Sequence, residues 1–180
     1  MGSVSESAMA SFSEQDHDRL DWKLFQSGAV VLYFREAWFD EDAHWLAQHG
    51  YVVHHIDCTD NDTLMKQMST ALGWSQLFGY VAWNGNLNAL NDGFRHLEIP
   101  TGGGMAFCFK RFNLIKREDP AWAQGILDVI QWQSYEYLLL GRRLLALVQS
   151  NNPRINFDPV GAHTVQWNPR EWFTASRPES

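Results

Sequence analysis

The chain has 180 residues, 45% hydrophobic and 14% aromatic, too apolar for disorder and sufficient for one domain with a sizeable core. Its formal net charge is −7, and its 14 Lys and Arg form no basic run longer than two. Direct binding of nucleic acid, which needs clustered cations against phosphate, is therefore not expected. No apolar run approaches the roughly 20 residues that span a bilayer, so no membrane partner is expected. Met1 to Gln15 is rich in Ser and Glu and lacks the basic-then-apolar order of a signal peptide, which points to a cytoplasmic protein. Cys58 and Cys108 stand in apolar, strand-like surroundings and read as buried thiols rather than a disulfide.

In chain order, residues 1–27 read as a flexible tail, and Ala29 to Phe34 is the first strand signal. Asp40-Glu41-Asp42 is an acidic opening suited to a helix N-terminus, with Ala43, Leu46 and Ala47 as its apolar face and Gly50 as its stop. Tyr51 to Ile56 is a second strand, and Asp57 to Asp62 a turn. Leu64, Met68 and Leu72 trace a helix closed by Gly73, and Trp74 to Val81 is an aromatic loop. Asn86 caps the next helix, whose apolar stripe is Leu87, Leu90, Phe94 and Leu97. Pro100 to Gly104 breaks the chain before a third strand, Met105 to Phe109.

Asp119-Pro120 starts a long helix with Ala123, Ile126, Leu127, Ile130, Ser134, Tyr137 and Leu138 as its buried stripe. Gly141 ends it, and Leu144 to Val148 is a fourth, continuously apolar strand. His163 to Trp167 alternates as an extra edge strand, and residues 169–180, with Pro169 and Pro178, form an irregular end. Strands separated by helices predict an α/β fold: a small, mostly parallel β-sheet covered by helices, as a single domain over 28–168.

Few patterns carry catalytic chemistry. Gly102-Gly103-Gly104 precedes a strand and lacks Gly-Lys-Ser/Thr, so it reads as a tight turn and not a phosphate cradle. The adjacent His54 and His55 face opposite sides of a strand, His44 and His49 are five apart, and neither cysteine has a C-x2-C partner, so no metal or other cofactor is expected. There is no Gly-x-Ser-x-Gly elbow, and Glu118/Asp119 and Asp40/Asp42 fall at expected helix starts, where capping explains them. The chain is not expected to be an enzyme. The less usual feature is the second face of the helix after Asn86, where Asn88, Asn91, Asp92 and Arg95 recur at helical spacing. Asn and Asp are poor helix formers, and a face that only had to stay soluble would more typically carry Glu and Lys.

Asn86-Leu-Asn-Ala-Leu-Asn-Asp92 resembles the signature of the barstar family, an Asn-Leu-Asp/Asn-Ala-Leu-x-Asp helix after an aromatic-glycine loop. The order of elements over 51–150 resembles that family too, with an extra strand–helix unit before it and an extension after it. The resemblance implies an intracellular inhibitor that binds a basic ribonuclease or related protein toxin and occludes its active site. It places Asp92 where the family inserts a carboxylate among the enzyme's cations, and Glu136, counted back from Gly141, where the family carries a functional glutamate. Asn84, Asn86, Asn88, Asn91 and Arg95 would surround Asp92, with Trp83 at the rim. The chain departs from the family pattern at Asn88, where a carboxylate is usual, at Asn91, where an aromatic is usual, and in Trp83-Asn84-Gly85-Asn86, where the glycine is displaced. Arg95 adds a positive charge to a face meant for a positive groove, which is costly in a desolvated contact. A non-inhibitory interaction module using the same amide-rich face is the alternative. The outer segments add strands to the sheet, cover its edges or contact a partner.

Overall fold

Apolar runs without alternation belong to strands covered on both faces. In the computed structural model, which describes residues 11–173, three strands are of this kind: β1 (Val30–Tyr33), β3 (Gly104–Lys110) and β4 (Leu144–Gln149) are buried throughout except at Lys110. β2 (Tyr51–Asp57) forms one edge and the two-residue β5 (Gln166–Trp167) the other. The order is β2-β3-β4-β1-β5, and every neighbouring pair is parallel. Parallel neighbours need crossovers, which helices supply. α2 (Glu36–Gln48) links β1 to β2; α3 (Asn61–Ala71), α4 (Trp74–Phe78) and α5 (Leu87–Arg95) link β2 to β3; α6 (Phe112–Glu118) and α7 (Pro120–Leu139) link β3 to β4. α1 (Leu20–Phe25) precedes β1 and α8 (Arg170–Phe173) follows β5. The molecule is an α/β protein with helices on both faces of a parallel sheet.

Strand side chains alternate between two cores. Val30, Leu32, Phe107, Phe109, Ala146 and Val148 pack against Leu64, Met68, Leu90, Phe94, Ile126 and Ile130 of α3, α5 and α7. Val31, Tyr33, Ala106, Cys108, Leu145 and Leu147 pack against Leu24 of α1 and Phe39, Ala43 and Leu46 of α2. Both cysteines are free and buried, and burial pushes the Cys108 thiol up to about 12. The glycine run before β3 is required by space: a Cβ at Gly103 would run into the carbonyl of Gly50.

The outer segments join the same sheet. β1 lies beside β4 in register, Val30 opposite Ala146, and β5 beside β1. A buried carboxylate fixes each of them. Asp21 of α1 accepts hydrogen bonds from Arg19, from Tyr51 Oη at 2.8 Å and from Arg143 at 3.3 Å. Burial alone would raise its pKa, but the hydrogen bonds of Arg19 and Tyr51 and the charges of Arg19 and Arg143 outweigh it and hold the carboxyl below its ordinary value. Asp42 of α2 accepts from Tyr33 Oη at 2.7 Å, from Asn168 Nδ2 at 3.0 Å and from Arg170. There burial prevails over the Tyr33 and Arg170 interactions, and the pKa is raised.

These contacts correct two expectations. Within the expected tail 1–27, residues 14–25 are almost entirely helical (a 3-10 turn, Glu14–Asp18, and then α1), because a core of apolar residues and Asp21 anchors them; residues 1–10 lie outside the described residues. Asp40-Glu41-Asp42 does not open a helix: α2 starts at Glu36, and Asp42 is buried in its second turn. Further differences are local. Part of the expected loop 74–81 is the one-turn α4, held by buried Trp74 between left-handed Gly73 and Gly79. α6 follows β3 without a sequence signal, because the turn into it is made by Arg111 at φ 62, its N–H held by Gln149 Oε1 at 2.9 Å. β5 is shorter than His163–Trp167, and α8 occupies part of the expected irregular end, of which 174–180 lie outside the described residues.

Candidate functional site

The helix after Asn86 begins where the amide cap predicts: Asn86 Oδ1 accepts from Ala89 N at 3.0 Å. Two indoles hold the loop that leads into it. Trp83 Nε1 donates to Asn86 O at 2.7 Å, Trp122 Nε1 donates to Gly85 O at 2.8 Å, and the rings stack with centroids 5.6 Å apart. Trp83 N also donates to Ser69 Oγ at 2.8 Å. Trp83 is only 1% exposed, so it is not a rim residue for a partner. Its ring finds its apolar neighbours inside the core and its single N–H finds a carbonyl, which leaves nothing to offer outward.

α5 packs against α7 closely enough that a Cβ at Gly125 would meet the Leu87 side chain, and against α4 closely enough that a Cβ at Gly93 would lie 2.9 Å from Trp74. Their C-terminal ends are tied by Tyr137, whose hydroxyl donates to Phe94 O at 2.7 Å and accepts from Leu97 N at 3.1 Å. Burial raises the Tyr137 pKa.

The other expected site residues divide by what their side chains already do. Asn84 Oδ1 accepts from Asn86 N at 3.2 Å, so Asn84 and Asn86 shape the loop while both remain exposed. Asn91 is half-buried and accepts from Gln133 Nε2 at 2.8 Å, which turns it toward α7. Asn88 is exposed, and its side chain makes no hydrogen bond among the described residues. Asp92 and Arg95, both more than half exposed, face each other at 3.6 Å. Glu136 lies across the helix pair, exposed, and lines a concavity of about 370 Å³ with Arg95, Trp132, Gln133, Tyr137 and Leu140. The structure thus brings Asn88, Asp92, Arg95 and Glu136 to one solvent-facing surface of α5 and α7, and commits Asn91 to holding the two helices together.

That surface holds residues the sequence reading did not single out. Trp132, Tyr135 and Leu139 of α7 and Leu140 at its C-cap are exposed, Leu139 and Leu140 by 64% each. The signal was present. Positions 132, 135, 136, 139 and 140 recur at helical spacing on the side of α7 away from its buried stripe, a second stripe of apolar residues around one carboxylate. Adjacent exposed apolar side chains on one helix mark interaction surfaces more often than isolated ones do.

Among the described residues no three of His, Cys, Asp and Glu converge to hold a metal ion, and no helix is long and apolar enough to cross a membrane. Comparison with family models, with curated proteins and with solved structures finds no match for this chain.

Proposed function

We propose that the chain is a barstar-like binding protein that occludes the active site of a basic ribonuclease or related protein toxin with the α5–α7 surface. The observation that carries the reading is the joint exposure of Asp92 and Glu136 on two helices locked side by side, next to a strip of exposed aromatic and aliphatic residues. Carboxylates on a rigid support can meet cations without first being ordered, and a flanking apolar strip excludes water from that contact. The helix signature and the order of elements over 51–150 support the family reading, as does the parallel sheet. On this surface Asp92 is the central charged contact, Glu136 pairs with a second partner cation, and Asn88 supplies a free amide. Trp132, Tyr135 and Leu139 take over the rim role that Trp83 does not fill.

Arg95 qualifies the mechanism. In the free protein it lies against Asp92, so binding a cationic site requires that pair to open or the partner to supply an acceptor for Arg95. Titration of a barnase-type ribonuclease with the full chain, beside its Asp92→Ala variant, tests the reading. Inhibition at micromolar protein or below, weakened at least about tenfold by Asp92→Ala, is expected, since truncation leaves partner cations buried without a counter-charge. No inhibition, or equal inhibition by the variant, would refute it. The second reading, an interaction module for a less basic partner, is favoured by the Asp92–Arg95 pairing, and predicts association nearly independent of salt.

A further inference from the structure

Among the described residues, seven basic residues of this acidic protein are paired with carboxylates, among them Lys110 with Glu36 and Asp40, Arg111 with Asp57, Arg143 with Asp21 and Arg95 with Asp92. Three that are not come together in one place. Lys116 and Arg117 in α6 and Arg154 in the segment after β4 line a concavity of about 390 Å³ with Asn113, Asn152, Ile155 and Asn156. None of the three has a carboxylate within ion-pair distance among the described residues; the acidic group that acts on Lys116, Asp158, does so from farther away. The concavity shares no residue with the α5–α7 surface.

Its walls are built rather than incidental. Asn113, Lys116 and Arg117 lie three and four residues apart on α6 and so share a face. Asn113 Oδ1 accepts from Asn151 N at 2.9 Å, and Asn152 Oδ1 accepts from Arg154 N at 2.9 Å. Both amide oxygens are thereby used to hold the facing segment, which leaves their NH2 groups as the uncommitted ends. Lys116 Nζ sits 4.1 Å from the Phe157 ring centroid and 3.5 Å from Asn156 Oδ1, and partial burial lowers its pKa. The concavity is formed by the segments that leave the carboxyl ends of β3 and β4, the side of a parallel sheet on which α/β proteins bind ligands. β4 also borders β1, the pair at which the winding changes from one face of the sheet to the other.

We propose that this concavity binds a phosphate group, either free or as the monoester of a small molecule. Three cations suit a dianion better than a monoanion. The two guanidinium forks match phosphate oxygens in pairs, and the ammonium and amide N–H groups can take the remaining lone pairs. The volume leaves room for an organic substituent beyond the phosphate itself.

The test is an NMR titration of the full ¹⁵N-labelled chain with sodium phosphate, with a nucleoside monophosphate, and with sodium chloride at matched ionic strength. Saturable shifts confined to residues 113–117 and 151–157 are expected with both phosphates and not with chloride. Tighter binding of the monophosphate identifies an ester as the ligand, and equal affinities identify free phosphate. Arg154→Ala and Lys116→Ala should each weaken phosphate binding by about tenfold, as loss of a charged hydrogen bond does, with melting in phosphate-free buffer unchanged. Shifts that fail to saturate, that chloride reproduces, or that survive in the Lys116→Ala/Arg154→Ala double variant would overturn the proposal.

Discussion

Tyr137→Phe isolates the device that fixes the end of α5 on α7. The substitution keeps the ring, which is buried, and removes only the hydroxyl that donates to Phe94 O and accepts from Leu97 N. A buried donor and acceptor left wholly without partners would each cost about 1–3 kcal/mol. Here the loss is cushioned, because Leu97 N also donates to Phe94 O at 3.3 Å, so the two orphaned groups retain each other. The expected destabilisation is therefore about 1–2 kcal/mol, not the sum of two full penalties. For a chain of this size that lowers the melting temperature by about 2–8 °C. Urea unfolding should show a lower midpoint with an unchanged slope, and hydrogen exchange should quicken at Leu97. Tyr135→Phe, which removes a hydroxyl from an exposed ring, should change stability by less than about 0.5 kcal/mol. A Tyr137→Phe variant as stable as the parent, or one with undiminished protection at Leu97, would show that Tyr137 does not fasten the helix pair.

Trp83→Ala should destabilise the fold by about 3–5 kcal/mol, the cost of emptying a buried indole site, while Trp83→Phe retains most of the stability; chemical denaturation distinguishes the two. Trp132→Ser and Leu139→Ser should leave the unfolding free energy within about 0.5 kcal/mol of the parent and still weaken partner binding, as measured by calorimetry. Asp21→Asn and Asp42→Asn should respond to pH in opposite senses. The folded pKa of Asp21 lies below its unfolded value of about 3.9, so its stabilisation is complete above that pH and is lost as pH falls through the folded value. The penalty of Asp21→Asn should accordingly shrink between pH 6 and pH 3 in urea titrations. The folded pKa of Asp42 is raised, so the parent gains stability from that group as pH falls, and the penalty of Asp42→Asn should grow over the same range.

The layered α/β architecture was legible because each of its long elements repeats its signal. Val30 to Leu32 and Leu144 to Val148 are unbroken apolar runs, and Asp119-Pro120 and Asn86 are cap residues that act as caps in the structure. Two short helices were not legible. α4 and α6 draw their stability from burying Trp74, Phe112 and Ile115, a tertiary effect that no local propensity records, and Arg111 adopts a left-handed conformation usually marked by glycine. Asp21 and Asp42 were hidden for a related reason. An acidic residue reads as solvated unless its partners are known, and these partners, Arg143 and Asn168, lie more than a hundred positions away.

At the candidate surface, helical spacing gathers Asn88, Asn91, Asp92 and Arg95 on a second face of the helix, and the family resemblance singles out Asp92 and Glu136 as contacts. The resemblance misplaces Trp83, because an indole beside a polar loop is compatible with rim or core and only its hydrogen bonds to Asn86 and Ser69 decide. Neither signal picks out Trp132, Tyr135 and Leu139, because α7 carries two apolar stripes and the buried one is the longer.

The most direct measurement compares the inhibition constants of Asp92→Ala and Arg95→Ala against a barnase-type ribonuclease at one salt concentration. The account requires opposite signs: weaker inhibition when the carboxylate is removed, and tighter inhibition when the like charge that holds it at 3.6 Å is removed. Weakening by both variants would show that Arg95 is itself a contact and that the surface does not enter a cationic site. Indifference to both would show that the ribonuclease does not bind this surface.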